Sequence, residues 1–148
     1  MNDAIDVPAV TAALRTLIES GIQSTVGLED TEVTVQHPST ARGERTSNQV
    51  NAYLYRIALD PTLRKARTGT ERLRMQLGYL ITAYGREGDD LSEQGLLSRV
   101  MEILDENPVL MPNEIRIDVQ PLSIEELSNL WVALETPYRL AVAYQLRL

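Results

Sequence analysis

Apolar residues recur at helical spacing in the first part of the chain. They form one stripe, which consists of Val7, Val10, Leu14, Leu17 and Ile18. Asp3 or Asp6 can cap this helix and Pro8 fits its first turn. Gly21 or Gly27 is the natural end of the element. The pattern predicts an amphipathic helix that packs one face on a core.

Two further helices follow the same rule. The second begins at Asp90 and ends before Pro108, and its buried stripe consists of Leu96, Leu97, Val100, Ile103 and Leu104. The third begins with a capping box, in which Ser123 and Glu126 bond each other's backbone amides. Its inner face consists of Leu127, Leu130, Trp131 and Leu134, and Pro137 ends it.

Alternating apolar and polar positions predict five strands, over residues 31–36, 50–59, 72–84, 115–119 and 138–148. Two polar segments without a period, 37–49 and 60–70, separate the first three strands and are predicted to be loops. The order is α-β-β-β-α-β-α-β. Successive strands joined by loops favour antiparallel pairing. We therefore expect an α+β fold, a mainly antiparallel sheet of about five strands with three helices packed on it, in a single domain over 1–148.

Composition narrows the possible chemistry. The chain has 148 residues, no cysteine and one histidine, so disulfides, thiol catalysis and cysteine zinc sites are excluded. The N-terminus is acidic and no long apolar run follows it, which predicts a soluble, unprocessed protein. We expect no cofactor and no metal.

Charge is unevenly distributed along the sequence. The chain carries −7, yet the segment 37–75 holds eight basic and three acidic residues. The overall sign argues against binding to nucleic acid or to anionic lipid. The basic segment is open to two interpretations of equal weight: a contact between unlike surfaces, or solvated loops whose charge is accidental.

No catalytic site emerges from the residues. His37 could act as a general base, but no nucleophile or orienting acid lies near it in sequence, and an exposed position at the edge of a loop is favoured. The paired carboxylates Asp89–Asp90 and Glu125–Glu126 lie where helix caps and first turns favour negative charge. The protein is predicted not to be an enzyme.

Several motifs resemble a known family. The stretch Asn51-Ala-Tyr-Leu-Tyr-Arg-Ile, followed by Asp60-Pro-Thr-Leu-Arg, is similar to one of its blocks, and Leu77-Gly-Tyr-Leu-Ile-Thr-Ala-Tyr-Gly85 is similar to one of its strands. Pro108-Val-Leu, the segment 122–131 and the segment 137–144 match its later elements in order. The family is the cap, or tail-terminator, protein of extracellular contractile injection systems. Asp60 departs from its frequent Asn, and many relatives continue beyond the position of Leu148.

The resemblance implies a structural role. A protein of this family forms a six-subunit ring on the baseplate-distal end of the inner tube and sheath, ends their polymerisation and ties sheath to tube. The implied partners are further copies of the chain as a homohexamer, the inner-tube protein and the sheath protein, without nucleic acid or membrane insertion. The implied location is the cytoplasm at assembly, in a phage-tail-like particle that can be released.

Two regions are candidates for the interface. The basic loops contribute Arg42, Arg45, Arg64, Lys65 and Arg67. The last strand, expected at a sheet edge where it could accept a strand of the sheath, contributes Tyr138, Tyr144 and Leu148. The alternative function is a small soluble ligand-binding or enzymatic α+β domain that uses the loops 37–49 and 60–70.

Overall fold

The computed structural model describes residues 6–59 and 74–148. Its helices are α1 (Val7–Gln23), α2 (Pro38–Ala41), α3 (Asp90–Glu106) and α4 (Ile124–Ala133), with a 3₁₀ turn at Arg86–Gly88. Its strands are β1 (Glu32–Thr34), β2 (Gln49–Leu59), β3 (Met75–Tyr84), β4 (Val109–Leu110), β5 (Ile115–Val119) and β6 (Ala141–Arg147).

The strands form one sheet in the order β1-β2-β3-β6-β5-β4. Among the described strands, β1 and β2 pair in parallel and the other four pairs are antiparallel. The expected α+β class with a mainly antiparallel sheet is confirmed. Two short elements, α2 and β4, were not predicted, because four and two residues are too few to show a period.

The helices begin where the sequence places their caps. The Asp6 carboxylate accepts from the Ala9 amide at 3.3 Å, and α1 starts at the next residue. At α4, Ser123 Oγ accepts from the Glu126 amide at 3.1 Å and the Glu126 carboxylate accepts from the Ser123 amide at 3.0 Å. The capping box is confirmed. Each bond satisfies an amide that has no partner inside its helix.

The two faces of the sheet carry different cores. On one face, Leu77, Tyr79 and Ile81 of β3 pack with the predicted stripes of α1 and α3 in a large apolar cluster. On the other face, Leu80 and Trp131 form a smaller cluster beneath α4. Successive side chains of a strand point to opposite faces, so β3 serves both cores. This explains why most of β3 is buried.

The position of the last strand corrects the sequence expectation. β6 pairs with β3 on one side and with β5 on the other, so it is an inner strand and not an edge. The hairpin of β4 and β5 precedes β6 in sequence and lies along its outer side. Tyr144 is 5% exposed and Leu146 is fully buried. The premise of a free edge at residues 138–148 is therefore wrong.

The pairing register defines two ends of the sheet. At the end that we call the lower end, Leu59 pairs with Met75, and Arg147 pairs with both Gln76 and Arg116. At the opposite, upper end, Gln49 pairs with Tyr84. The segments 42–48 and 85–90 adjoin the upper end, because they lead into β2 and out of β3.

Candidate interaction surfaces

Arg42, a predicted interface residue, is held inside the upper end. Its guanidinium donates to the Ser47 carbonyl at 2.7 Å, to Gln49 Oε1 at 3.2 Å and to the Gly85 carbonyl at 3.0 Å. Burial lowers the pKa of Arg42, and the positive charge of Arg139 lowers it further. Arg42 therefore joins two connecting segments. Its contact with a partner stays a prediction.

Arg45 also has partners within the chain. Its Nε atom donates to the Glu32 carboxylate at 2.7 Å and its Nη1 atom donates to the Ala41 carbonyl at 2.9 Å. The second bond satisfies a carbonyl at the end of α2. The segment 37–49 thus contains a short helix and is bonded to β1. The prediction of a loop throughout this segment is wrong.

The remaining predicted interface residues have different environments. Arg64, Lys65 and Arg67 lie outside the described residues, as does the whole segment 60–70 that was predicted to be a loop. Tyr138 is 49% exposed just before β6, whereas Tyr144 belongs to the main core. Leu148 is half-buried against that core, and its amide donates to the Met75 carbonyl at 3.1 Å.

His37 has a local structural role. Its Nδ1 atom accepts from the Ser39 amide at 3.1 Å and caps α2, and its ring meets that of Tyr53 edge-on with the centroids 5.1 Å apart. Among residues 6–59 and 74–148, no three His, Asp or Glu side chains are grouped so that they could hold a metal ion. Within the same ranges, no helix is both long and apolar enough to cross a membrane.

A groove of about 470 Å³ lies at the lower end, between the start of α1 and the β4–β5 turn. Its lining combines apolar residues with Asp6, Arg74 and Glu114. The half-buried Leu148 contributes to one wall. The groove provides room for side chains of another molecule, and the described residues of its lining include no group that could hold a metal ion.

Three exposed arginines that were not among the predicted interface residues lie on one face of the sheet. Arg147 donates from Nη2 to the Asp118 carboxylate at 2.6 Å, and Arg116 donates to the same carboxylate at 3.3 Å. Arg56 lies on the same face, because it pairs with Gly78, which also pairs with Gln145 beside Asp118. We call Arg56, Arg116 and Arg147, with Asp118, the arginine face. It lies on the side of the sheet that carries α4, toward the lower end.

The ion pairs order this face. Burial alone raises the pKa of Asp118, but the hydrogen bonds from Arg147 and Arg116 outweigh it and hold that pKa below its ordinary value. The Tyr55 ring packs over Gly78, since a Cβ atom added to Gly78 would lie 3.1 Å from that ring. The three arginines come from β2, β5 and β6, so only the strand order brings them together. No spacing in the sequence could reveal that order.

Acidic side chains gather at the upper end. The Glu87 amide donates to the Thr46 carbonyl at 2.9 Å, which holds the segments 42–48 and 85–90 side by side. Glu44, Glu87, Asp89 and Asp90 are exposed there, and we call these four residues the acidic corner. Asp89 is the N-cap of α3 and accepts from the Ser92 amide at 3.0 Å. This bond confirms the capping role predicted for Asp89–Asp90.

A second arginine braces the same end. The Arg139 guanidinium lies 4.2 Å from the centroid of the Tyr84 ring, which Arg42 approaches to 5.4 Å. Arg139 also donates to Glu93 at 3.0 Å and to the Ala83 carbonyl at 3.1 Å. These contacts join the segment before β6 to α3 and to the end of β3. They give the acidic corner a fixed support.

Comparison with known proteins places this fold in a family. The model of the Pvc16 N-terminal domain matches residues 9–148, nearly the whole chain. The chain belongs to the Pvc16 N-terminal domain family. Among curated protein sequences, none matches it.

Two solved structures share the fold of this Pvc16 N-terminal domain. One is the PVC sheath/tube terminator of an extracellular contractile injection system in the extended state, with a TM-score of 0.74 and 20% identity. The other is the tube-terminating cap of the anti-feeding prophage, with a TM-score of 0.74 and 19% identity. Each similarity covers 99% of this chain but only 57% and 55% of the other. The chain thus spans a little over half the length of these proteins. The expected tail-terminator-like fold is confirmed.

Proposed function

We propose that this protein is a structural cap, or tail terminator, of a contractile injection system. The observation that carries the proposal is that one domain family covers residues 9–148 and that two tube terminators share the same fold over 99% of the chain. In this role the protein forms a ring on the baseplate-distal end of the inner tube and sheath. It ends their polymerisation and ties the sheath to the tube.

The mechanism follows from the symmetry of such assemblies. Tube and sheath grow by head-to-tail contacts, which leave an open surface after every added layer. A cap binds the last layer and offers no copy of that surface, so growth stops. The partners in this proposal are further copies of the chain in a homohexamer, the inner-tube protein and the sheath protein, and neither nucleic acid nor membrane insertion takes part. Assembly takes place in the cytoplasm, before the particle is released.

The observed roles of the polar residues support a structural function over an enzymatic one. Asp89 and Glu126 cap helices, Asp118 holds two arginines, and His37 caps α2. Each of these side chains has a bonding partner that accounts for its position. The two solved structures compared above are terminators.

Labelling of particle ends tests the proposal. The protein carries an epitope tag, particles are purified, and gold-labelled antibody is located by electron microscopy. We expect gold at one end only, the end opposite the baseplate, while a tagged sheath protein is labelled along its length. Gold along the shaft, at the baseplate or absent from purified particles would contradict a distal cap.

A further inference from the structure

The arginine face and the acidic corner are two unlike patches at opposite ends of one sheet. Arg56 lies seven positions after Gln49 on β2, and Gln49 is beside the acidic corner. At about 3.3 Å per residue, this is roughly 20 Å. The Debye length at physiological salt is about 8 Å, so attraction between exposed charges roughly 20 Å apart is largely screened. The two patches of one molecule therefore do not attract each other appreciably.

Each patch keeps a net charge after its charged neighbours are counted. Beside the acidic corner, Arg45, Arg86 and Arg139 are paired with Glu32, Asp30 and Glu93. Four acids against Arg42 then remain. Glu126 lies near Arg56, since both charges act on Tyr55, and it offsets only part of the charge of the arginine face.

The arginine face has three arginines against one aspartate, and Arg116 remains 67% exposed even though it is paired. In the acidic corner, Glu44, Glu87 and Asp90 form no ion pair with any other residue in the described ranges. The first patch fits an acidic partner surface and the second fits a basic one.

Apolar side chains accompany the acidic corner. Leu91, next to Asp90, is 75% exposed, and Tyr138 and Leu140 are about half exposed beside Asp90 and Glu93. Interfaces combine such apolar and aromatic groups with arginine, whose planar guanidinium can stack on a tyrosine ring. The corner thus has both the charge and the apolar area that a docking surface for arginines requires.

We propose that the arginine face of one copy docks on the acidic corner of the next copy, and that this head-to-tail contact builds the ring. This inference rests on the proposed function, because a ring of identical subunits needs two unlike patches on each subunit. A symmetric contact of either patch with itself would oppose like charges. A second copy of the chain offers an acidic corner to the arginine face and an arginine face to the acidic corner.

Charge reversal tests the contact. One variant, E44R/E87R, makes the corner basic, and another, R56E/R116E, makes the arginine face acidic. Sedimentation velocity measures self-association of the chain alone at low salt. We expect the wild type to associate, and each double variant to associate at least about tenfold more weakly, because like charges then meet. In the quadruple variant the corner is basic and the arginine face is acidic, so unlike charges meet again and the protein regains association.

A matched control reverses two exposed acids at the C-terminal end of α3, D105R/E106R, and is expected to associate like the wild type. A wild type that stays monomeric, double variants that associate normally, or a quadruple variant without recovery would overturn the proposed contact. A protein that associates through these patches but is absent from particle ends would instead overturn the proposed function. Equal folding of all variants, checked by circular dichroism, separates lost contacts from lost structure.

Discussion

Arg42 shows how far the surroundings of a residue decide its role. Its three hydrogen bonds join the segments before β2 and after β3, and two of its acceptors are backbone carbonyls. Removing the guanidinium takes this donor from the partly buried Ser47 carbonyl and Gln49 Oε1, whereas the Gly85 carbonyl keeps the Gly88 amide. Leaving such partly buried oxygens unsatisfied costs more than the loss of an exposed charge. The residue is therefore part of the support of the acidic corner.

Replacement of Arg42 by alanine tests this role. We expect Arg42→Ala to lower the free energy of unfolding by about 2 kcal/mol, measured by urea denaturation. Arg56→Ala is the matched control, since Arg56 is exposed and forms no ion pair with other described residues. The control should change the stability by less than about 0.5 kcal/mol. Equal effects of the two substitutions would show that Arg42 is not a structural residue.

At the scale of elements, the position of β6 changes the meaning of the C-terminal residues. An inner strand supplies two ladders of hydrogen bonds and side chains to both cores. Tyr144 and Leu146 belong to the main cluster, and Ala143 belongs to the cluster beneath α4. The segment is therefore needed for folding before any docking can take place.

Truncation separates these two roles. Deletion of residues 144–148 is expected to abolish the cooperative thermal transition. β5 then loses every residue with which it pairs in β6, and β3 loses four of its seven partners there. Deletion of Leu148 alone, which is only half-buried, should leave a cooperative transition at a lower temperature. Circular dichroism measures both. A folded 1–143 chain would contradict the inner position of β6.

The sequence predicted the elements better than their arrangement. The stripes of α1 and α3, the capping box of α4 and the alternation in β3 are local patterns, and each is confirmed. The inner position of β6 depends on which strands pair across the sheet, and periodicity does not encode this. The arginine face was missed for the same reason. Arg42 was assigned to a surface because composition does not report hydrogen bonds.

At the scale of the whole molecule, the charge of the segment 60–70 remains a predicted contribution to assembly. The reversal R64E/K65E/R67E should leave the unfolding transition unchanged, because we expect these three residues to lie in a solvated loop. It should reduce the fraction of particles that carry the protein, and more strongly at low salt, where charges are least screened. Quantitative labelling of particle ends measures the effect. The neutral variant R64Q/K65Q/R67Q should label a fraction of particles between those of the wild type and of the reversed variant.

Normal incorporation of the reversed variant at every salt concentration would show that this charge has no part in assembly. The ring contact proposed above uses other residues, Arg56 and Arg116 against Glu44 and Glu87. The two experiments can therefore give independent answers. The reversal of residues 64, 65 and 67 tests the charge of the segment 60–70. The reversals in the arginine face and the acidic corner test the proposed ring contact.

The length of particles made without this protein tests the proposed capping function most directly. The gene is removed, particles are purified and imaged, and the lengths of tube and sheath are measured, with a plasmid-borne copy as the control. A terminator predicts tubes and sheaths of irregular length, or sheaths that have slipped or contracted, and uniform particles again when the copy is restored. Particles of normal, uniform length with a closed distal end in the absence of the protein would contradict the account.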